Sequence, residues 1–286
     1  MLYRDFADQD SIDAEYDPAR GTSEVADIIA RWQDDSARVR ADLACELGVR
    51  FGPTKAEYMD IFPAARARAP VHLFIHGGYW RRFSAREFSF VARALVAAGT
   101  TVAISNYALC PDVTIDEIVR QTRAAIAWLY GNISDFRGDH GMITISGHSA
   151  GGHLVAMALA TDWPGEYGLP ADLVKGACAI SGLYDLAPFP YSYLQPRLQL
   201  TWDQVGRNSP IRLIPEQGPA LTVAVGGAET AEFQRQSRDY LAAWQANGLA
   251  GTSLVPDGAN HFTMLDGFAD PDSALGRAIL TPPRPR

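Results

Sequence analysis

Apolar and polar positions follow a strand-then-helix rhythm along most of this chain. Short apolar runs typical of buried parallel strands occur at VHLFI (71–75), TTVAIS (100–105), MITIS (142–146), VKGACAIS (174–181) and ALTVAV (220–225), and GTSLVP (251–256) indicates a last strand. The stretches between them predict helices over 84–98, 114–131, 149–160, 230–247, 262–268 and 272–280. Alternation of this kind builds right-handed βαβ crossovers. The pattern therefore predicts an α/β fold with a mostly parallel, doubly wound sheet and helices on both faces.

The remaining segments depart from this rhythm. Residues 23–48 predict a helix with Ser23 as its N-cap and Gly48 as its stop, and AEYMDIFP (56–63) predicts a strand. Residues 182–219 are rich in proline and aromatic side chains and predict a small cap, to which the helical segment 1–50 is expected to contribute. The tail TPPRPR predicts a frayed end. We interpret 1–286 as a single domain.

Charge and cysteine content limit the classes of partner and the cellular compartment that the sequence favours. The net charge is 25 − 33 = −8, which disfavours nucleic acid and anionic membranes as partners because both require basic patches. Cys45, Cys110 and Cys178 are widely spaced and form no CxxC pair, and the N-terminus lacks a secretory pattern. We expect a cytoplasmic protein without a cofactor; the oligomeric state stays open, with a homodimer as one option.

The segment ITISGHSAGGHL contains the motif G-x-S-x-G between a predicted strand and a predicted helix. A sharp turn there presses the backbone against both flanks of Ser149, so that Gly147 and Gly151 leave room for it. The turn would hold the hydroxyl at the carboxyl edge of the sheet, where α/β folds bind ligands. It would also aim the Ala150 N–H above the serine. Ser149 is therefore the candidate nucleophile, whereas His148 is expected to point away from its hydroxyl.

A second glycine-containing segment ends the strand at 71–75. In HGGYW, Gly77 shapes a turn, and the N–H groups of Gly78 and Tyr79 are candidates for an oxyanion hole that Ala150 completes. We interpret His76 as a structural anchor of this loop rather than as a base.

A serine nucleophile needs a base, which in this topology follows it in the chain. His261, in NHF just past the last strand, is the candidate. His153 lies too close to Ser149 on the same helix, His72 lies inside a strand, and His140 lies in a polar loop. The carboxylate that orients the base should follow the strand at 220–225, and Glu229 fits this position. Its rivals are Glu232, Asp257 and Asp203.

These motifs resemble those of the kynurenine formamidase (arylformamidase) group of α/β-hydrolases, which is related to the hormone-sensitive-lipase-like esterases. HGGYW is similar to its HGGxW signature, and SGHSAGGHL, ISGLYDLAPF, VGGAETAEFQRQS and NHF are similar to its nucleophile, post-strand, acid and histidine segments, over roughly residues 60–268. The family's acid is normally Asp, so Glu229 is a departure, and its extra methylene requires the acid loop or His261 to shift.

The resemblance implies metal-independent hydrolysis of an aryl formamide, N-formyl-L-kynurenine, to formate and the arylamine. Tyr79 and Trp80 are expected to restrict the acyl side. His148 is also counted among the pocket residues, and aromatic side chains of the cap segment are expected to line a leaving-group pocket: Tyr184, Phe189, Tyr191, Tyr193 and Trp202. Ordinary core packing is the alternative for each of these aromatics.

Other functions stay open at this stage. The same catalytic groups would serve a broad carboxylesterase for small acyl esters, and the Glu229 departure favours that alternative. A ligand receptor of the same fold without turnover is a further alternative, since fold alone does not define function. A metal hydrolase is disfavoured, because His148 and His153 lack the HExxH spacing and the cysteines lack zinc spacing.

Overall fold

Strand pairing organises the molecule, which we describe from a computed structural model over residues 1–280; the predicted frayed end at 281–286 lies outside the described residues. The sheet has the order β1-β2-β4-β3-β5-β6-β7-β8. Strands β3 to β8 pair in parallel, whereas β2 is antiparallel to both β1 and β4. The mostly parallel sheet is confirmed. The strand bounds are β1 Glu46–Arg50, β2 Tyr58–Phe62, β3 Ala69–Ile75, β4 Thr101–Ser105, β5 Gly138–His148, β6 Val174–Ile180, β7 Ala220–Ala224 and β8 Gly251–Leu254.

Helices connect these strands at nearly the predicted positions. The α-helices are α1 Gln9–Tyr16, α2 Val25–Asp42, α3 Ala92–Ala97, α4 Ile115–Asn132, α5 Ala150–Leu159, α6 Trp163–Tyr167, α7 Gln195–Leu198, α8 Trp202–Arg207, α9 Ala231–Ala246 and α10 Ala274–Leu280. Shorter 3₁₀ helices cover Ala85–Val91, Ile133–Phe136, Phe189–Tyr191, Pro210–Arg212 and Thr263–Ala269. The helix predicted over 84–98 is therefore 3₁₀ in its first half and α-helical in its second.

The core lies on both faces of the sheet because side chains of a strand alternate in direction. In β3, Leu73 and Ile75 pack on one face with α4, α5 and α9, whereas Phe74 packs on the other face with α2, α3 and α10. All three side chains are fully buried. Helices thus cover both faces, which confirms the α/β-hydrolase architecture that the sequence predicts.

The N-terminal region differs from its prediction. Helix α2 ends at Asp42 rather than at Gly48, and Ser23 does not cap it, because the N-cap is Glu24. Gly48 instead lies within β1 with φ +74, and its N–H donates to Asp60. Strand β1 escaped prediction because it is an edge strand whose residues are exposed or half-buried, so it lacks an apolar run.

Helix α1 lies within the predicted helical segment 1–50, but no helix was assigned to its bounds. Its start is marked by a capping box between Asp8 and Ser11, but only Ile12 and Tyr16 of this helix are buried. Tyr16 donates to Glu232 of α9 at 2.6 Å and accepts from Gln236 at 2.8 Å. The Tyr16 carbonyl accepts from Tyr79 at 2.5 Å. These bonds hold α1 across the carboxyl edge of the sheet.

Candidate active site

The backbone at Ser149 forms the sharp turn that the G-x-S-x-G motif predicts. Ser149 connects β5 to α5 with φ +58 and ψ −119, a conformation that non-glycine residues rarely adopt. A Cβ on Gly151 would overlap the carbonyl oxygen of Ile75, and one on Gly147 would overlap that of Gly151. The glycines are therefore required by the close approach of α5 to β3. Ala150 begins α5 directly after the serine.

The HGGYW loop runs beside this turn. A Cβ on Gly77 would lie 3.0 Å from the Ser149 Cβ and 2.6 Å from the His148 carbonyl oxygen. Gly78, Tyr79 and Trp80 all have positive φ, at 108°, 51° and 54°. Consecutive left-handed residues are strained and persist only where their surroundings hold them. Gly77, Gly78 and Tyr79 line the same cavity as Ser149.

Side chains around the loop supply that restraint. The His76 ring stacks on Tyr107 with centroids 4.1 Å apart, and the Tyr107 hydroxyl donates to the His76 carbonyl at 2.8 Å. His76 Nδ1 lies 2.8 Å from the Gly77 carbonyl oxygen, and burial lowers the pKa of His76 to about 4. A buried, neutral ring bonded to its own loop has the geometry of an anchor rather than that of a base.

Trp80 and His153 fasten the loop to α5. The Trp80 indole donates to His153 Nδ1 at 3.2 Å, and His153 Nε2 lies 2.8 Å from the Asn208 carbonyl oxygen. Because a carbonyl only accepts, Nε2 carries the proton and Nδ1 is free to accept. Burial lowers the pKa of His153 to about 4, so the ring is neutral at pH 7. One imidazole thus joins the HGGYW loop, α5 and segment 182–219.

His261 and Glu229 form a hydrogen-bonded pair after β8 and β7. His261 Nδ1 lies 2.7 Å from Glu229 Oε2, and both side chains are buried. Because the carboxylate accepts, the neutral imidazole carries its proton on Nδ1 and has a lone pair on Nε2. His261 also lines the cavity that contains Ser149. This is the tautomer that a general base requires.

Two donors hold the other oxygen of Glu229. Its Oε1 accepts from the Ser181 hydroxyl at 2.5 Å and from the Gly226 N–H at 2.7 Å. Ser181 is fully buried and has φ +49 directly after β6. Both oxygens of the Glu229 carboxylate are therefore hydrogen-bonded, one to His261 and the other to Ser181 and Gly226. No sequence motif marks Ser181 as a site residue, and its position directly after a buried strand is the signal that could have indicated it.

His148 links the nucleophile turn to the loop of His261. Its Nε2 lies 2.8 Å from the His261 carbonyl oxygen, so Nε2 carries the proton. The two rings are 4.6 Å apart. Burial and the nearby His261 lower the pKa of His148 well below its ordinary value. His148 is thus a neutral contact between these segments, and it lines the cavity.

The rival residues lie in other environments. Glu232 pairs with Arg235 at 2.6 Å and accepts from Tyr16, while Asp203 and Asp257 are exposed. His72 is buried between Thr144 and Ser146, and His140 is exposed. Within residues 1–280, no cluster of three His, Cys, Asp or Glu side chains could hold a metal ion. No helix in this part of the chain is long and apolar enough to span a membrane.

A cavity of about 500 Å³ opens beside Ser149. Its volume falls in the range typical of small-molecule sites, roughly 300–1,000 Å³. Residues of α1 and α2 form part of its wall together with Tyr193 of segment 182–219. Besides Ser149, His261, His148 and Gly77–Tyr79, it is lined by Asp13, Ala14, Asp17, Pro18, Ala19, Val25, Ile29, Trp32, Arg81, Arg82, Phe83, Phe88, Tyr193 and Phe262.

The structure corrects most of the predicted aromatic pocket. Trp80 and Tyr184 are fully buried and do not line the cavity; Trp80 bonds His153, and Tyr184 stacks on Tyr240 with centroids 4.2 Å apart. Tyr191 packs against Tyr3 and Trp202 away from the cavity. Each of these rings is held by a hydrogen bond or by another aromatic ring outside the cavity wall. Phe189 and Trp202 are likewise absent from the lining.

The aromatic wall comes instead from side chains outside the segment 182–219, one of them in the segment 1–50 that is expected to contribute to the cap. Trp32 of α2, Phe88 of the 3₁₀ helix at Ala85–Val91, and Phe262 beside His261 form it. The ring of Trp32 lies 5.6 Å from that of Phe88 and 6.1 Å from that of Phe262. Trp32 is far from the motifs in sequence, so no local signal pointed to it.

Fold and site together define the chain as a hydrolase of the α/β-hydrolase class. A family model described as BD-FAE matches residues 59–166. The structure superimposes on an esterase from Pyrobaculum calidifontis with a TM-score of 0.71 at 17% identity, covering 91% of this chain and 95% of that one. A protein from Silicibacter, provisionally assigned as a thioesterase, gives a TM-score of 0.84 at 28% identity, covering 94% and 99%.

Within that class, the chain is similar to kynurenine formamidases. It is 29% identical over 285 residues to the kynurenine formamidase of Danio rerio, and the alignment covers 95% of each chain. It is also similar to the esterase LipC of Mycobacterium tuberculosis, at 27% identity over 81% of this chain and 63% of that one.

Proposed function

We propose that this protein is a metal-independent serine hydrolase that cleaves aryl formamides such as N-formyl-L-kynurenine to formate and the arylamine. The observation that carries the proposal is the hydrogen bond of 2.7 Å between His261 and Glu229, because His261 lines the same cavity as the strained Ser149 turn and the HGGYW loop. The similarity to kynurenine formamidases supports the substrate class.

A specific group of the site carries out each step of the reaction. His261 Nε2 takes the hydroxyl proton as Ser149 Oγ bonds to the formyl carbon, and Glu229 stabilises the imidazolium. The N–H groups of Gly78, Tyr79 and Ala150 receive the oxyanion, each worth roughly 3–4 kcal/mol. The C–N bond then breaks, the arylamine leaves with the proton from His261, and water releases formate from the formyl-serine.

The test compares substrates rather than variants alone. We expect N-formylkynurenine to be preferred, by kcat/KM, over p-nitrophenyl acetate and a short acyl thioester. Ser149→Ala should lose several orders of magnitude on every substrate, as triad nucleophiles do. Treatment with EDTA should leave the rate unchanged. Activity that EDTA abolishes, or that survives Ser149→Ala, would contradict the mechanism.

A broad carboxylesterase is the second candidate, favoured by the similarity to mycobacterial esterases. The same groups would catalyse ester cleavage with an alcohol as the leaving group. A clear preference for p-nitrophenyl acetate in the same comparison would replace the formamidase proposal with this one.

A further inference from the structure

A second imidazole lies beside the base, and the hydrolytic steps described above do not use it. The ring of His148 is 4.6 Å from that of His261, and both residues line the cavity that contains Ser149. His148 is the last residue of β5 and directly precedes the nucleophile. Its hydrogen-bonding state therefore bears on the reaction.

The tautomer of His148 is set by the loop that carries the base. Its Nε2 lies 2.8 Å from the His261 carbonyl oxygen, so Nε2 carries the proton and Nδ1 has a lone pair. Nδ1 has no hydrogen-bond donor within residues 1–280, yet it is not sealed in the core as the unpartnered Nε2 of His76 is. Since His148 lines the cavity, the lone pair on Nδ1 is open to a ligand.

The neighbouring backbone shows which way Nδ1 faces. A Cβ on Gly77 would lie 3.0 Å from the Ser149 Cβ and 3.3 Å from His148 Nδ1. Nδ1 therefore faces Gly77 on the side of the nucleophile, whereas Nε2 faces the loop of His261. Because Gly77 has no side chain, no Cβ covers Nδ1 from this direction.

An acceptor in this place distinguishes an amide from an ester. When Ser149 Oγ bonds to the formyl carbon of an aryl formamide, the carbonyl oxygen becomes the oxyanion and the nitrogen becomes pyramidal. The nitrogen lone pair must face His261 Nε2, which gives it a proton as the C–N bond breaks. The hydrogen already on the nitrogen then points elsewhere, and it needs an acceptor once the substrate has displaced water from the cavity. An ester oxygen carries no hydrogen and gains nothing from such an acceptor.

We propose that His148 Nδ1 accepts a hydrogen bond from the scissile N–H in the transition state, which makes His148 a catalytic residue specific for amide cleavage. The leaving arylamine is thus held between two imidazoles, one that donates a proton to its nitrogen and one that accepts from its N–H. The inference rests on the proposed formamidase function, because it concerns the amide bond of that substrate. An interaction that is strongest in the transition state acts mainly on kcat.

The test separates the two nitrogens of His148. His148→Gln retains an N–H near the place of Nε2, which can still donate to the His261 carbonyl, but it removes the acceptor Nδ1. His148→Asn places an amide oxygen near the position of Nδ1 and is too short to reach the His261 carbonyl. His140→Gln is the matched control, because His140 is exposed and does not line the cavity.

Three substrates that form the same formyl-serine are compared. Formanilide carries the scissile N–H, N-methylformanilide has a methyl group in place of that hydrogen, and phenyl formate has an ester oxygen. Because water clears the same intermediate in each case, differences in kcat/KM among the three substrates arise before or during the departure of the leaving group.

We expect His148→Gln to lower the ratio of kcat/KM on formanilide to kcat/KM on phenyl formate about 10-fold, mainly through kcat on formanilide. The ratio of N-methylformanilide to phenyl formate should stay at its wild-type value. His148→Asn should slow all three substrates, because the His261 loop loses its contact, but it should restore much of the formanilide ratio. His140→Gln should match the wild type on every substrate.

Two results would overturn the inference and leave the formamidase function intact. In the first, His148→Gln slows formanilide and phenyl formate equally, as the loss of a purely structural contact would. In the second, the wild type cleaves N-methylformanilide as rapidly as formanilide, and this comparison holds even if His148→Gln does not fold. If the wild type cleaves phenyl formate but neither formanilide, the proposed function itself fails.

Discussion

At the scale of single residues, the acid of the site depends on partners that lie far apart in the chain. Glu229 is bonded by His261 through one oxygen and by Ser181 and Gly226 through the other. A hydrogen bond to a charged group contributes roughly 1.5–3 kcal/mol. Ser181 therefore acts on the reaction through the orientation of Glu229, without touching the substrate.

We expect Ser181→Ala to lower kcat about 10-fold and to leave KM nearly unchanged, because the carboxylate loses one of its donors and His261 loses part of its orientation. Steady-state kinetics on the preferred substrate measure both constants. Ser237→Ala is the matched control, since Ser237 is a buried serine whose hydroxyl has no hydrogen-bond partner within residues 1–280. Equal kcat values for Ser181→Ala and the wild type would show that Ser181 does not position the acid.

At the scale of elements, the HGGYW loop keeps its strained backbone because other segments hold it. Trp80 connects the loop through His153 to α5 and, through the Asn208 carbonyl, to segment 182–219. Tyr79 connects it to the end of α1. Loop, helix and segment 182–219 are therefore coupled, and a change at Trp80 should affect both stability and the oxyanion donors.

The Trp80→Phe variant keeps an aromatic ring but removes the indole N–H, which leaves His153 Nδ1 buried without a donor. An unsatisfied buried acceptor costs about 1–3 kcal/mol, so we expect the melting temperature to fall by roughly 5 °C, together with a lower kcat. Differential scanning fluorimetry and kinetics measure these effects. Trp202→Phe is the control because Trp202 is 57% exposed. If Trp80→Phe and Trp202→Phe have the same melting temperature, the hydrogen bond of the Trp80 indole does not stabilise the loop.

At the scale of the whole molecule, several histidines are buried and neutral. Burial lowers the pKa of His72 to about 3, and it lowers the pKa values of His76 and His153 to about 4. Their ordinary value is 6.5. Between pH 4 and 6.5 the unfolded chain therefore binds protons that the folded chain does not bind, so acid favours unfolding.

We expect the contribution of these three histidines to the free energy of unfolding to be constant above pH 6.5. As the pH drops from 6.5 toward 4, the free energy of unfolding should fall, by up to about 4 kcal/mol per pH unit for the three sites together. Urea unfolding at pH 7.5, 6 and 5 measures this slope. Equal stability at pH 7.5 and pH 5 would contradict the assignment of these rings as neutral in the folded state.

Much of the molecule is determined by local sequence. The apolar runs define the buried strands because a parallel strand is covered on both faces, and G-x-S-x-G defines the turn because only glycine permits the close approach of α5 to β3. Which side chains form the cavity wall, in contrast, depends on the tertiary structure. Trp32 and Asp17 line the same cavity as Ser149 because α1 and α2 pack across the sheet edge, and Tyr184 is absent from the wall because its ring stacks on Tyr240. Periodicity reports which face of an element is buried, whereas the partner of a distant side chain depends on how the elements pack together.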